Sequence, residues 1–265
     1  MKQPPYPAGS HDSIQYHFFC DDKLFAVRIF RTDSLEHHSA WVFDDGARTV
    51  LSSDAPIRQA DREYLDVAAE TMRIEADDTS GRITVHGAVA DDAFAVEFKP
   101  GRTLRWSDTL EHVMHQPDIA CVVSYRGRRL AGVGYSKRYA WAEPPRYWGY
   151  RFLQGFLGDR TTSIWTADAV FGLNKYDYFK VLSADGSLFE APNDRTAHKQ
   201  NTMFAYANGV RHEARFEELA SWDQILKSER MDSHLRQRYG RVRYFDGKAE
   251  REGVAITEYC FGTLG

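Results

Sequence analysis

Residues 132–180 read GVGYSKRYAWAEPPRYWGYRFLQGFLGDRTTSIWTADAVFGLNKYDYFK. Alternating, β-branched and aromatic runs are separated here by glycine, proline and aspartate, the pattern of successive short strands. Arg146–Phe156, Ser163–Phe171 and Tyr176–Ser183 are read as three of them. Rings crowd the stretch, among them Tyr139, Trp141, Trp148, Tyr150, Trp165 and Tyr176. Ionisable groups are few, notably Glu143, Asp168 and Lys175. Two readings stand side by side. In one, the rings are the ordinary core of a β-rich domain. In the other, they wall an apolar cavity in which burial keeps a carboxyl group protonated.

The pattern continues outward. Ile14–Cys20, Leu24–Thr32, Ser39–Phe43, Thr49–Ser52, Met72–Ala76, Arg82–Val89 and Phe94–Phe98 have strand character, broken by clusters such as Asp44-Asp45-Gly46 and Asp77–Gly81. Ile119–Tyr125 and Leu130–Tyr139 flank Arg126-Gly127-Arg128-Arg129 as a hairpin, and Met203–Ala207 and Val210–Phe216 pair across Asn208-Gly209. Strands in series without helical patterns between them predict an all-β fold of antiparallel barrels rather than βαβ units. Pro56–Glu70 fits either a short helix or a strand pair. Ser221–Tyr239 is predicted as a helix, with Ser221 and Gln224 as a capping box and Gly240 as its stop. Trp222, Ile225, Leu226 and Leu235 would form its apolar face. Val122–Tyr139 (VVSYRGRRLAGVGYSKRY) and Val242–Tyr259 (VRYFDGKAEREGVAITEY) share a strand, a glycine turn, Gly-Val and a strand ending in tyrosine. Duplication of a barrel unit and chance both account for that similarity.

With 265 residues the chain can hold one large domain or two small ones. A net charge of −4 without a long basic run gives no nucleic-acid footprint. The N-terminal MKQPPYPAGSHDS lacks an apolar signal core, and no apolar run reaches membrane-spanning length. Cys20, Cys121 and Cys260 are widely separated, as expected of free buried thiols in a reducing, cytoplasmic compartment. The oligomeric state is left open.

His112 and His115 stand at helical i,i+3 spacing, but nothing completes a metal set, so a solvated or capping role is expected. His37-His38 is read as surface. No G-x-S-x-G elbow, Walker loop or G-x-G-x-x-G is present, and no cofactor or metal is expected. Tyr139 and Trp141 lie two apart on a strand and face one side. Thr166 and Asp168 share a face in the same way, opposite Trp165, Ala167 and Ala169. Asp168 within this apolar strand is either a structural hydrogen-bond acceptor or a general acid.

GVGYSKRYAW (Gly132–Trp141), WGYRF (Trp148–Phe152) and IWTADAVF (Ile164–Phe171) resemble the corresponding region of the carotenoid 1,2-hydratase and AttH-like proteins, which are built from two lipocalin-like β-barrels in tandem. REGVAITEYCFGTL (Arg251–Leu264) resembles the closing strand of that family. The hydratases carry a histidine and a tryptophan two apart, then a tyrosine and an aspartate two apart. Trp141 and Asp168 match. Tyr139 stands in place of the histidine and Thr166 in place of the tyrosine, so proton delivery differs and carotenoid is doubtful as substrate. The resemblance implies barrels over 1–117 and 118–265. It implies a cofactor-independent lyase or isomerase of hydratase, dehydratase or cyclase type, acting on a hydrophobic isoprenoid-like or polyketide-like small molecule. Asp168 would donate the proton, with Trp141, Trp148 and Tyr150 facing the developing cation. Tyr139 or Thr166 would place a water. Tyr176 would add a wall, and Glu143, before Pro144-Pro145, would sit at the barrel mouth. The alternative is a non-catalytic lipocalin-like binding protein for an apolar ligand.

Overall fold

Side-chain alternation and tight turns build both halves of the chain. The computed structural model describes residues 11–31, 36–55, 66–89, 92–107, 111–141, 146–158, 160–191, 195–227 and 231–264. Its strands are β1 (His11–Cys20), β2 (Lys23–Arg31), β3 (Glu36–Asp44), β4 (Ala47–Ala55), β5 (Asp66–Ala68), β6 (Met72–Asp77), β7 (Arg82–Val89), β8 (Asp92–Phe98), β9 (Leu104–Ser107) and β10 (Glu111–Tyr125). There follow β11 (Arg128–Trp141), β12 (Tyr147–Leu157), β13 (Thr162–Phe171), β14 (Asn174–Leu182), β15 (Leu188–Ala191), β16 (Thr196–Lys199), β17 (Thr202–Ala207), β18 (Val210–Lys227), β19 (Met231–Phe245) and β20 (Glu250–Leu264). Among the described residues no helix is long and apolar enough to cross a membrane.

The strands form two curled antiparallel sheets, one in each of two compact units, Met1–Pro144 and Pro145–Gly265. The first sheet runs β4-β3-β2-β1-β11-β10-β8-β7-β6-β5, with β9 beside β10. The second runs β15-β14-β13-β12-β20-β19-β18-β17-β16. Both are built alike. Four strands meander, and the last strand of the unit returns to pair with the first: β11 with β1, β20 with β12. The two similar sequence segments, ending in Tyr139 and Tyr259, are the β10–β11 and β19–β20 hairpins. They hold the same place in the two sheets. The expected boundary after residue 117 falls inside β10, which pairs with β8, β9 and β11, so residues 118–144 group with the first unit.

The expected hairpins form. Asp45-Gly46, Arg126-Gly127 and Asn208-Gly209 each put two successive residues at positive φ, the twist that joins adjacent strands directly. One core gathers Ile14, Phe18, Phe25, Val27, Val85 and Val96 on the inner face of the first sheet. The other gathers Leu153, Ile164, Phe179, Val181, Phe216 and Val242 on that of the second. The three cysteines are free and buried.

The first unit also buries charge. Arg138 donates to both oxygens of Asp12, at 3.0 and 2.6 Å. Arg31 donates to Glu36, and His38 Nε2 lies 2.5 Å from the other Glu36 oxygen. Burial pushes the Glu36 carboxyl up, but hydrogen bonds from His38 and Arg31 outweigh it and hold the group below its ordinary range. The surface reading of His37-His38 is therefore corrected for His38, whose residue is 2% exposed. His112 and His115 lie on a strand, β10, and not on the helix that their i,i+3 spacing would need to pair them, and His115 is buried rather than solvated. Within Pro56–Glu70, Asp66–Ala68 is a strand and residues 56–65 lie outside the described residues.

The predicted helix over 221–239 is absent. Its residues finish β18 and begin β19, and the pairing continues from Ala220–Tyr239 to Lys227–Asp232. Pairing with β19 overrides local propensity, as sheet context commonly does. Trp222 and Leu235 are buried as strand residues while Ile225 is 68% exposed, so they do not form one helical stripe. Gly240 is a mid-strand residue beside the bulge between Glu218 and Ala220. A Cβ there would collide with the carbonyl oxygen of Glu217, whereas one at Gly149 would meet nothing within 4 Å. Gly240→Ala is expected to lower stability by about 1–3 kcal/mol in urea denaturation. Gly149→Ala should stay within about 0.5 kcal/mol of wild type.

Candidate functional site

β12, β13 and β14 pair without a register shift, so rows of cross-strand partners share a face. Gly155, Ile164 and Val181 form one row; Leu153, Thr166 and Phe179 the next; Arg151, Asp168 and Asp177 the third. Ile164, Leu153, Phe179 and Val181 belong to the apolar core, so this is the inner face of the second sheet. The third row is charged throughout.

β14 also approaches β16 and β17 around the curl of the sheet. Thr196 donates its hydroxyl to Asp177, and His198 Nδ1 lies 3.6 Å from the same carboxylate oxygen. Lys175 Nζ stands 3.9 Å from Asp177 Oδ2. The His198 side chain is 3% exposed. Burial pushes its pKa below the ordinary 6.5, while Asp177 and Asp168 pull it back. The imidazole is thus neutral at pH 7. Thr166 is buried, and its hydroxyl has no hydrogen-bond partner among the described residues.

Asp168 and Arg151 are direct cross-strand neighbours of opposite charge, yet they form no ion pair. The Arg151 guanidinium instead lies over the Tyr259 ring, 5.2 Å from its centre. Among the described residues neither side chain makes a hydrogen bond or an ion pair. Both are half-buried on the inner face. A carboxyl group, a guanidinium and a neutral imidazole can move a proton and hold charge. Among the described residues no three metal-ligating side chains converge closely enough to hold an ion.

The expected site residues divide. Thr166 and Asp168 share the inner face as predicted. Trp148, Tyr150 and Tyr176 lie on the other. Tyr150 stands opposite Ala169, which stands opposite Tyr176, and Trp148 stands opposite Phe171. The rings touch one another there, Tyr150 to Phe171 at 6.3 Å and Phe171 to Tyr176 at 5.9 Å. Strand alternation therefore keeps these three rings from the Asp168 carboxyl. Tyr139 and Trp141 end β11 in the first unit, where Tyr139 pairs with Ser13 and Val113 and lies 5.4 Å from Lys137 Nζ. Glu143 lies outside the described residues. Arg151, Asp177 and His198 were not anticipated. Asp177, two residues before Phe179, lies on a strand that also carries Lys175 and Lys180, a weaker signal than that of Asp168. His198, in a four-residue strand, carries no such signal.

The architecture is that of a protein of two lipocalin-like antiparallel sheets in succession. No family model and no curated protein matches the sequence. Among solved structures it resembles kievitone hydratase from Nectria haematococca, with TM-score 0.64 and 12% identity over 97% of this chain and 90% of that one. It resembles CghA, solved with Sch210972, with TM-score 0.62 and 10% identity over 97% and 89%. It also resembles a protein of Nitrosomonas europaea assigned as AttH, with TM-score 0.61 and 14% identity over 94% and 91%. The chain has the fold of the AttH-like tandem lipocalin-like proteins, as the sequence resemblance implied.

The electrostatic link within the site is open to measurement. His198 should titrate below 6.5 by NMR, and Asp168→Asn should lower its midpoint further by removing a carboxylate that favours the imidazolium. Because the folded-state value lies below the unfolded one, His198 stabilises the fold above pH 6.5, and that contribution is lost as pH falls through the folded value. An Asp168→Asn variant with an unchanged His198 midpoint would show that the two groups do not share one interior.

Proposed function

We propose that this protein is a cofactor-independent lyase or isomerase of the hydratase or cyclase type, with Asp168 as the proton donor to a hydrophobic, isoprenoid-like or polyketide-like small molecule. The observation that carries this reading is a carboxyl group on the inner face of a barrel, one row from apolar core, committed to no partner among the described residues. Further support is the fold shared with a hydratase and with CghA.

The chemistry follows from the charges. Asp168 in its acid form gives its proton to one alkene carbon, and a cation develops on the other. The Asp177 carboxylate, across the strand from Asp168, favours that charge. In hydration, a water placed by the Thr166 hydroxyl adds to the cation, and neutral His198 takes up its second proton. Return of that proton to the Asp168 carboxylate closes the cycle, with net addition of water. In cyclisation, a second alkene of the substrate attacks the cation instead, and the proton then lost goes back to the same carboxylate. Tyr139 and Trp141 have no step in this scheme.

The test is solvent labelling. Protein is incubated in D2O with a panel of prenylated phenols and linear polyenes, and products are read by mass spectrometry. At least one should gain solvent deuterium at carbon, and Asp168→Asn should slow that reaction by about 10²–10⁴-fold. An Asp168→Asn variant labelling at the wild-type rate would remove Asp168 from the chemistry.

A further inference from the structure

We infer that the ligand of this site carries an acidic head group, a carboxylate or an acidic enol, bound by Arg151 against the Tyr259 ring and attached to an apolar body. The inference rests on the reading of the Asp168 face as the ligand site. It deepens that reading by assigning the substrate class.

Opposite charges directly across an antiparallel pair normally join. Arg151 sits between Asp168 on β13 and Tyr259 on β20 and turns to the ring. Other basic groups of this face are committed. Arg236 stands 3.6 Å and Arg238 3.7 Å from Glu218, and Lys175 stands 3.9 Å from Asp177. Arg151 alone among these four has no acidic or hydroxyl partner among the described residues. A guanidinium with a ring against one face still presents a fork of N–H donors at its edge, the geometry that grips a carboxylate through two parallel bonds.

The surroundings fit an apolar body. Tyr259 is 41% and Phe261 53% exposed, and two apart on β20 they share the face of Arg151. Gly149 pairs with Phe261 and leaves open space where a side chain would stand. A head group at Arg151 thus places the rest of the molecule over Phe261 and Gly149, on rings that would otherwise face water.

Charge coupling joins the head group to the chemistry. Arg151 from β12, Asp177 and Lys175 from β14 and His198 from β16 face Asp168. A ligand anion adds a third negative charge beside Asp168 and Asp177, which favours a proton on the His198 imidazole.

Dodecanoate and dodecanol separate the head group from the body. Calorimetry at pH 7 on the whole chain should show dodecanoate binding about tenfold tighter than the alcohol. Titrations in buffers of different ionisation heat should show a proton taken up with dodecanoate and none with dodecanol. Arg151→Gln should remove the preference with affinity for the alcohol unchanged, and Arg151→Lys should keep part of it. Asp168→Asn should tighten dodecanoate binding by removing a like charge. Equal affinity for the two probes, failure of dodecanoate to bind, or a preference that survives Arg151→Gln overturns the inference. The preference can fail while Asp168 still labels product in D2O, and it can hold while Asp168→Asn labels at full rate, so the two readings fall separately.

Discussion

A sheet whose register does not slip allows each side chain only two directions. Across β12, β13 and β14 the pairing is continuous, and every assignment in the second unit follows from that. It sends Arg151, Thr166, Asp168 and Asp177 to the inner face and Trp148, Tyr150, Phe171 and Tyr176 to the outer one. A single inserted residue in β13 would exchange the faces of everything beyond it. The acid and the nearest rings in sequence are thereby separated by the thickness of the sheet. Phe179 shares the face of Asp168 from β14, and Tyr259 and Phe261 share it from β20, more than 90 residues later in the chain.

The two units treat buried charge differently. In the first, Asp12 meets Arg138, and Glu36 meets both Arg31 and His38. Breaking such a pair strands a buried charge, which is costly. In the second, Asp177 is held by Thr196, but Asp168 and Arg151 are left uncommitted although they are direct neighbours. Folding alone would favour their union, because a half-buried charge gains from any opposite charge within reach. The Arg151 guanidinium lies over the Tyr259 ring, and two groups of opposite sign stand unjoined on neighbouring strands.

Much of the fold was legible because its signals are local. Asn208-Gly209 and Asp45-Gly46 are turn chemistry that any context must obey, and the alternation around Asp168 fixes which residues it can share a face with. The segment 221–239 misled for a physical reason. Ser221 and Gln224 satisfy a capping pattern, but β19 offers that segment cross-strand partners from Ala220 to Lys227, and one sequence cannot use both. Gly240 was read as a helix stop. It is a glycine because β18 bulges against it, a requirement set by residues more than 20 positions away. The site was half legible. Asp168 is an acid on an apolar strand and announces itself, whereas Asp177 lies on a strand that also carries Lys175 and Lys180. His198 and Tyr259 join these acids only through the curl of the sheet and the return of β20 onto β12, which no local pattern encodes.

The shared strand order makes the contrast between the units informative. β2 and β3 hold the same places in the first sheet as β13 and β14 in the second. On these pairs lie Arg31, Glu36 and His38 in one unit and Asp168 and Asp177 in the other. One scaffold therefore carries polar side chains on corresponding strands twice, once as a closed set and once as an open one. The fold dictates neither outcome. What differs is whether neighbouring charges meet: in the second unit Arg151 lies over the Tyr259 ring, brought in by the closing strand, and not against Asp168.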